Sequence, residues 1–299
     1  MIKSKRLLAA GLAATLVLAA CGGDDDDSGG DDGGDSDRVG LAFDTGGRGD
    51  GTFNDAAGRG ADRAEAELGV TVVELEAATA DDRKPNLETL TDDGLNPIVA
   101  NGFAFGEGLA EVAVANPETM YAITDGFVPG EIENIVHLAF AEHEGSFLVG
   151  AAAVLACECT DIGFIGGQEI DLIKKFEAGY RAGAEHINPD VEVRVQYLGA
   201  AGDNAAWGSP DKAKEIANSW YADGAQVIYT AAGGSGAGTR EAATESDAWA
   251  IGVDSDEYLI APDDQKPHIL TSMLKRVDVA VFDVYQSYLA DTLVGGFNA

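Results

Sequence analysis

Three aspartates close apolar runs spread along most of the chain: Asp44 after 39–43, Asp125 after 120–124 and Asp254 after 249–253. An ionised carboxylate accepts several hydrogen bonds at once, so carboxylates brought together suit a ligand rich in hydroxyls or N–H groups. Each one alone is equally a helix cap or a turn residue. A fourth segment, Gly233-Gly234-Ser235-Gly236-Ala237-Gly238, follows the apolar run 227–230 and enters a helical period. It lacks the lysine of a phosphate-binding loop and the glycine spacing of a dinucleotide fingerprint, so it reads as bare backbone that can approach a ligand. The chain carries no G-x-S-x-G elbow, no H-E-x-x-H and no recognisable Cys/His nucleophile pair, and no enzyme chemistry is expected.

The elements that must position these residues alternate. Short apolar runs at 39–43, 70–74, 97–100, 120–123 and 135–139 read as strands, separated by helical periods at 54–68, 85–93 and 105–116. The rhythm resumes with helices at 144–156, 170–187, 211–223, 236–245 and 277–292 and strands at 161–165, 192–197, 227–230, 249–253 and 268–273. Repeated strand–helix units imply an α/β protein whose parallel sheets are covered on both faces, and the break near 138–145 implies two lobes. The expected division gives a first lobe of 38–138 plus about 254–280 and a second of 139–253 plus about 281–299, with a second seam near 254–270. In open sheets of this kind ligands bind beyond the carboxyl ends of the strands, where the aspartates and the glycine loop stand.

The N-terminus reads as an export signal. Lys3, Lys5 and Arg6 precede an apolar stretch at 7–20, which ends in Leu18-Ala19-Ala20-Cys21. That stretch is too short for a permanent span, and the terminal Cys after small residues is the pattern of a bacterial lipoprotein signal. The expectation is a signal peptide at 1–20, lipidation at Cys21 and an acidic flexible linker at 21–37, which places the folded part outside the cytoplasm. With 19 basic against 52 acidic residues, a net charge of −33, the chain is a poor partner for nucleic acid, and a solvated acidic surface suited to high salt is the simplest reading. Cys157 and Cys159 flank a single residue; a bridge there would close a strained ring, so free buried thiols are expected. His137, His143, His186 and His268 are scattered, so neither a metal nor another cofactor is called for, and a monomer is expected.

Several segments together are specific. Asp44-Thr-Gly-Gly-Arg-Gly-Asp50-Gly-Thr-Phe53-Asn54 resembles the opening motif of the basic membrane lipoprotein family, the purine-nucleoside receptors of bacterial ABC importers. In the same order follow Met120-Tyr-Ala-Ile-Thr-Asp125, Phe140-Ala-Glu-His-Glu-Gly-Ser-Phe-Leu-Val-Gly150, Ile162-Gly-Phe-Ile-Gly-Gly167, Ile251-Gly-Val-Asp254-Ser-Asp256 and Thr271-Ser-Met-Leu-Lys275. The resemblance covers about 38–296 and implies a type I periplasmic-binding-protein fold, two parallel-sheet lobes joined by a hinge. It further implies a base held between two rings, Phe53 and Trp207, with Asn54 and Asp125 at the base edges. Asp44, Asp254 and Lys275 would hold the ribose, and Gly233 or Gly234 would let backbone approach. The chain departs from the family at Gly51-Thr52, and it stops at Ala299, where members usually continue through a further strand and helix, so a truncated sequence is expected.

The function so implied is capture of a nucleoside, with purine favoured, and its delivery to an ABC permease in the membrane. Rival readings are a receptor for a sugar or signal molecule on the same scaffold, a sensor subunit, and an extracytoplasmic nucleoside hydrolase using the aspartates.

Overall fold

A computed structural model describes residues 37–130 and 132–298. The signal peptide, Cys21 and almost all of the acidic linker lie outside the described residues. The first lobe begins with β1 (Arg38–Phe43), α1 (Phe53–Leu68), β2 (Thr71–Glu76), α2 (Arg83–Asp92), β3 (Ile98–Asn101), α3 (Gly106–Ala115), β4 (Tyr121–Thr124) and β5 (Ile135–Leu138). The second lobe carries α4 (Glu142–Cys157), β6 (Asp161–Gln168), α5 (Asp171–Ile187), β7 (Glu192–Gly199), α6 (Pro210–Ala222), β8 (Val227–Ala231), α7 (Gly236–Glu245), β9 (Trp249–Asp254), α8 (Glu257–Ile260) and β10 (Ile269–Leu274). The chain then returns to the first lobe through α9 (Val277–Leu289) and β11 (Gly296–Asn298).

Two sheets result, ordered β11-β5-β4-β3-β1-β2 and β10-β9-β8-β6-β7, and every strand pair is parallel. The central strands β3, β4, β5 and β8 are buried along their whole length, because helices cover both faces and no residue parity is left for solvent. Each sheet therefore has two cores. In the first lobe, β1 residues pack with α1 and α9 on one face, around Phe43, Phe282 and Tyr285, and with α2 and α3 on the other, around Leu87, Leu90 and Leu109. In the second, Phe164, Phe176, Tyr180 and Tyr229 fill the α4–α5 side, and Ile228, Ala213 and Ala242 the α6–α7 side.

Four expectations are corrected. Residues 254–280 do not join the first lobe as a block, since β10 pairs with β9 in the second sheet. Residues 281–299 do not join the second, since Val281, Phe282 and Tyr285 of α9 pack on the first lobe's core and β11 pairs with β5. The second seam accordingly lies at Lys275-Arg276, between β10 and α9, and not at 254–270. A strand's neighbours are long-range partners, so local periodicity finds β10 without revealing which sheet takes it. Finally, Cys157 and Cys159 are bridged: Glu158 adopts a left-handed backbone, φ 49°, which folds the chain back and sets the two Cα atoms 5.0 Å apart.

Candidate functional site

The carboxyl ends of both sheets face one cavity of about 200 Å³. All nine residues expected at the ligand, Asp44, Phe53, Asn54, Asp125, Trp207, Gly233, Gly234, Asp254 and Lys275, line it. It also takes in groups for which no role was expected, notably Asp50, Phe103, Phe176 and Asn204.

Phe53 is the first residue of α1, and the loop before it is organised by acidic side chains. The Asp50 carboxylate accepts from the backbone N–H groups of Thr52 (2.8 Å), Asn54 (2.9 Å) and Asp55 (3.1 Å), covering the unpaired donors of the first turn. Asp55 in turn accepts from the backbone of Gly49 and Gly51. Burial pushes the Asp50 carboxyl up, against those three donors, which favour its ionised form. The neighbouring Asn54 is buried, and its Oδ1 accepts from Asn101 Nδ2 at 3.0 Å, so the amide orientation is set from β3.

Asp125 and Asp254 stand at the ends of β4 and β9 with left-handed backbones, φ 62° and 64°. Such conformations are uncommon for residues with a side chain, although aspartate tolerates them better than most. Lys275 follows β10 at the second crossover between lobes. Its ammonium donates to Asp125 Oδ2 at 2.5 Å and lies 3.1 Å from Glu142 Oε1, on the helix that opens the second lobe after the first crossover. The rings of Phe53, Phe140 and Phe176 surround it, with centroids 5.6, 5.0 and 5.3 Å away. One buried cation thus ties both crossovers together beneath the cavity. Burial opposes the Lys275 charge, but Asp125, Asp254 and Glu142 outweigh it and raise its pKa. The protein leaves the acids less satisfied. Asp125 Oδ1 is buried without a hydrogen-bond partner, and burial raises the Asp125 pKa despite Lys275. Burial likewise raises Asp254 to about 7, with Lys275 opposing and Asp125 reinforcing the shift.

Three of the expected residues already have partners within the protein. Asp125 and Lys275, expected at the base and the sugar respectively, are bonded to each other, so the polar groups form one connected set. Asp44 reaches the cavity, but its Oδ1 already accepts from Arg83 Nε (2.7 Å) and Thr45 N (2.6 Å). Trp207 sits on a 3-10 turn at Asn204–Trp207 and meets Phe103 of the first lobe edge to face, centroids 6.3 Å apart. Its ring lies against Gly167, where a Cβ would come within 2.2 Å of the indole, so only glycine leaves room for it. Gly233 has φ 56° and opens a second 3-10 turn, whereas a Cβ on Gly234 would make ordinary contacts at 3.5 Å or more. Phe103 and Phe176 gave no motif signal. Asp50 lay within the opening motif, and the density of aspartate and glycine there was the clue to its role.

Among the described residues no group of metal-ligating side chains forms a site, and no helix is long and apolar enough to cross a membrane. Residues 38–298 match the family described as Bmp, ABC transporter substrate-binding protein PnrA-like. A CD4+ T-cell-stimulating antigen of Listeria monocytogenes is 34% identical over 275 residues, covering 86% of this chain and 75% of that protein. An ABC transporter nucleoside-binding protein, BmpA, of Lactococcus lactis is 30% identical, covering 83% and 73%. Among solved structures, an ABC transporter solute-binding protein from Aeropyrum pernix superposes with a TM-score of 0.78 at 32% identity, covering 87% of this chain and 72% of that one. The two-lobed α/β architecture is that of type I periplasmic solute-binding proteins. The chain belongs to the Bmp family of PnrA-like ABC transporter substrate-binding proteins.

Proposed function

We propose that the cavity captures a nucleoside, with purine favoured, and that the protein delivers it to an ABC permease while held to the membrane through lipid on Cys21. The observation that carries the ligand assignment is the meeting, in one cavity, of aromatic faces with buried carboxyl groups, among which Asp125 Oδ1 has no hydrogen-bond partner within the protein. A flat heteroaromatic base gains about 1–3 kcal/mol from stacking on such a ring. Asp125 Oδ1 is an acceptor awaiting a donor, as ribose hydroxyls or base N–H groups provide, and the Asp254 carboxyl lines the same cavity. The nucleoside-binding relative supports the same ligand class. Because the groups come from both lobes, full contact requires the lobes to close, and the closed form is the signal offered to the permease.

Mass spectrometry of small molecules released on denaturing the purified protein, followed by calorimetry with adenosine, guanosine, inosine and their free bases, tests the assignment. Nucleoside recovered intact and rebound at micromolar or lower Kd is expected. A sugar or an unrelated solute recovered in its place, with no heat from any nucleoside, would remove it.

A further inference from the structure

Arg83, the first residue of α2, is absent from the ligand roles discussed so far, yet it touches both lobes. Its Nε donates to Asp44 Oδ1 at 2.7 Å within the first lobe. Its Nη2 donates to Asn204 Oδ1 at 3.3 Å across the cleft. The guanidinium is largely buried, with 12% of its side-chain surface exposed, and Asp44 with 16%. On the far side Asn204 is itself held, because the buried Gln168 places its Nε2 3.4 Å from the same oxygen and accepts from Gly202 N through Oε1. Asn204 begins the 3-10 turn that carries Trp207.

We infer that Arg83 is a positioning residue for ligand retention: it orients Asp44 and fastens the Asn204–Trp207 turn to the first lobe when the cleft is shut. The two contacts differ in kind. The bond to Asp44 is short and ionic, so it anchors the guanidinium; the bond to Asn204 is long and has a neutral acceptor, so it can break each time the lobes part. An arginine suits this double task because its planar fork presents separate donors to two acceptors, which a lysine ammonium does not hold in fixed directions. The latch should act on escape of the ligand, since it forms only after the lobes meet, and leave the rate of entry nearly unchanged.

The inference rests on the cavity being a closing nucleoside site, and the test separates the two. Trp207 lines the cavity, so stopped-flow tryptophan fluorescence can follow binding and release of guanosine, adenosine and inosine. Arg83→Met should speed dissociation about tenfold with association changed less than about twofold. Asn204→Asp supplies a charged acceptor and should slow dissociation several-fold, but only while Arg83 is present. Unchanged dissociation in Arg83→Met, or an equal effect of Asn204→Asp with and without Arg83, would overturn the latch. If the wild-type chain takes up none of the three nucleosides, the nucleoside assignment fails, and the same dissociation measurement with the solute recovered from the purified protein decides the latch. Arg83→Met should then release that solute about tenfold faster, and an unchanged rate would overturn the latch.

Discussion

The two lobes order their first five strands alike, β2-β1-β3-β4-β5 and β7-β6-β8-β9-β10, but furnish the equivalent strand ends differently. The fourth strand of each leads into an aspartate with a left-handed backbone, Asp125 and Asp254. The third strand of each leads into a 3-10 turn and then a helix, yet that turn carries Phe103 and Phe105 in the first lobe and Gly233-Gly234-Ser235 in the second. After the fifth strand the first lobe offers Phe140 and the second Lys275. Equivalent backbone positions thus supply bulk on one side and clearance or charge on the other. Such unlike walls suit the proposed nucleoside, a planar ligand with one polar end, better than two identical ones would.

The largest break in this scheme should come from Lys275→Met, which leaves Asp125 and Asp254 buried without the cation they share and Glu142 with Lys175 alone, 3.6 Å away. Removing one partner of a buried ionic cluster costs about 3–5 kcal/mol, and partial protonation of the acids would place the effect toward the lower end. Urea unfolding should show that loss, and calorimetry should show no nucleoside binding. Near wild-type stability would mean that the acids are already neutral in the folded chain.

Next come the paired changes that separate the lobes' contributions. Asp254→Ala should weaken nucleoside binding roughly ten- to hundredfold by removing a charged acceptor, and Phe53→Ala by a comparable amount through lost stacking. With the free base, which has no ribose, Phe53→Ala should still hurt while Asp254→Ala should matter little. Calorimetry with nucleoside and base on both variants measures the difference, and an equal Asp254→Ala effect on both ligands would remove Asp254 from the sugar.

The smallest effect expected is in pH. Asp254 has its carboxyl pKa raised to about 7 by burial, so between about pH 4 and 7 the folded chain holds a proton that the unfolded chain has lost. Its contribution to ligand-free stability therefore falls as pH rises through that window. Nucleoside binding acts on the other form: a carboxylate that accepts ribose hydroxyls must ionise, so binding releases a proton and tightens roughly tenfold between pH 6 and 8. Calorimetry in buffers of different ionisation enthalpy should detect the proton, and Asp254→Asn should flatten the profile. A flat wild-type profile would show that Asp254 is ionised throughout or uninvolved.

Strand runs such as 39–43 and 120–123, and helices such as 236–245, were legible because burial on both faces writes continuous apolar runs and one-sided burial writes a helical period. The nine cavity residues were legible through order and spacing of motifs, chiefly the Asp44–Asn54 opening and the segments ending in Asp125, Asp254 and Lys275. Phe103, Phe176 and Arg83 were not. Nothing near them in sequence marks their partners, which lie across a sheet or across the cleft.

By itself the sequence determined the element types, the parallel sheets and the kinds of side chain at the strand ends, since these follow from local periodicity and from chemistry carried by single residues. Tertiary structure decided which sheet receives β10, which lobe receives α9, that Lys275 bonds Asp125 and Glu142, and that Arg83 reaches Asn204. Those outcomes depend on contacts between segments far apart in the chain, 150 residues for Lys275 and Asp125 and 245 for Tyr285 of α9 and Gly40 of β1, and on how much water packing removes from each charge. A carboxylate's identity is local, whereas its pKa and its partner belong to the assembled cleft.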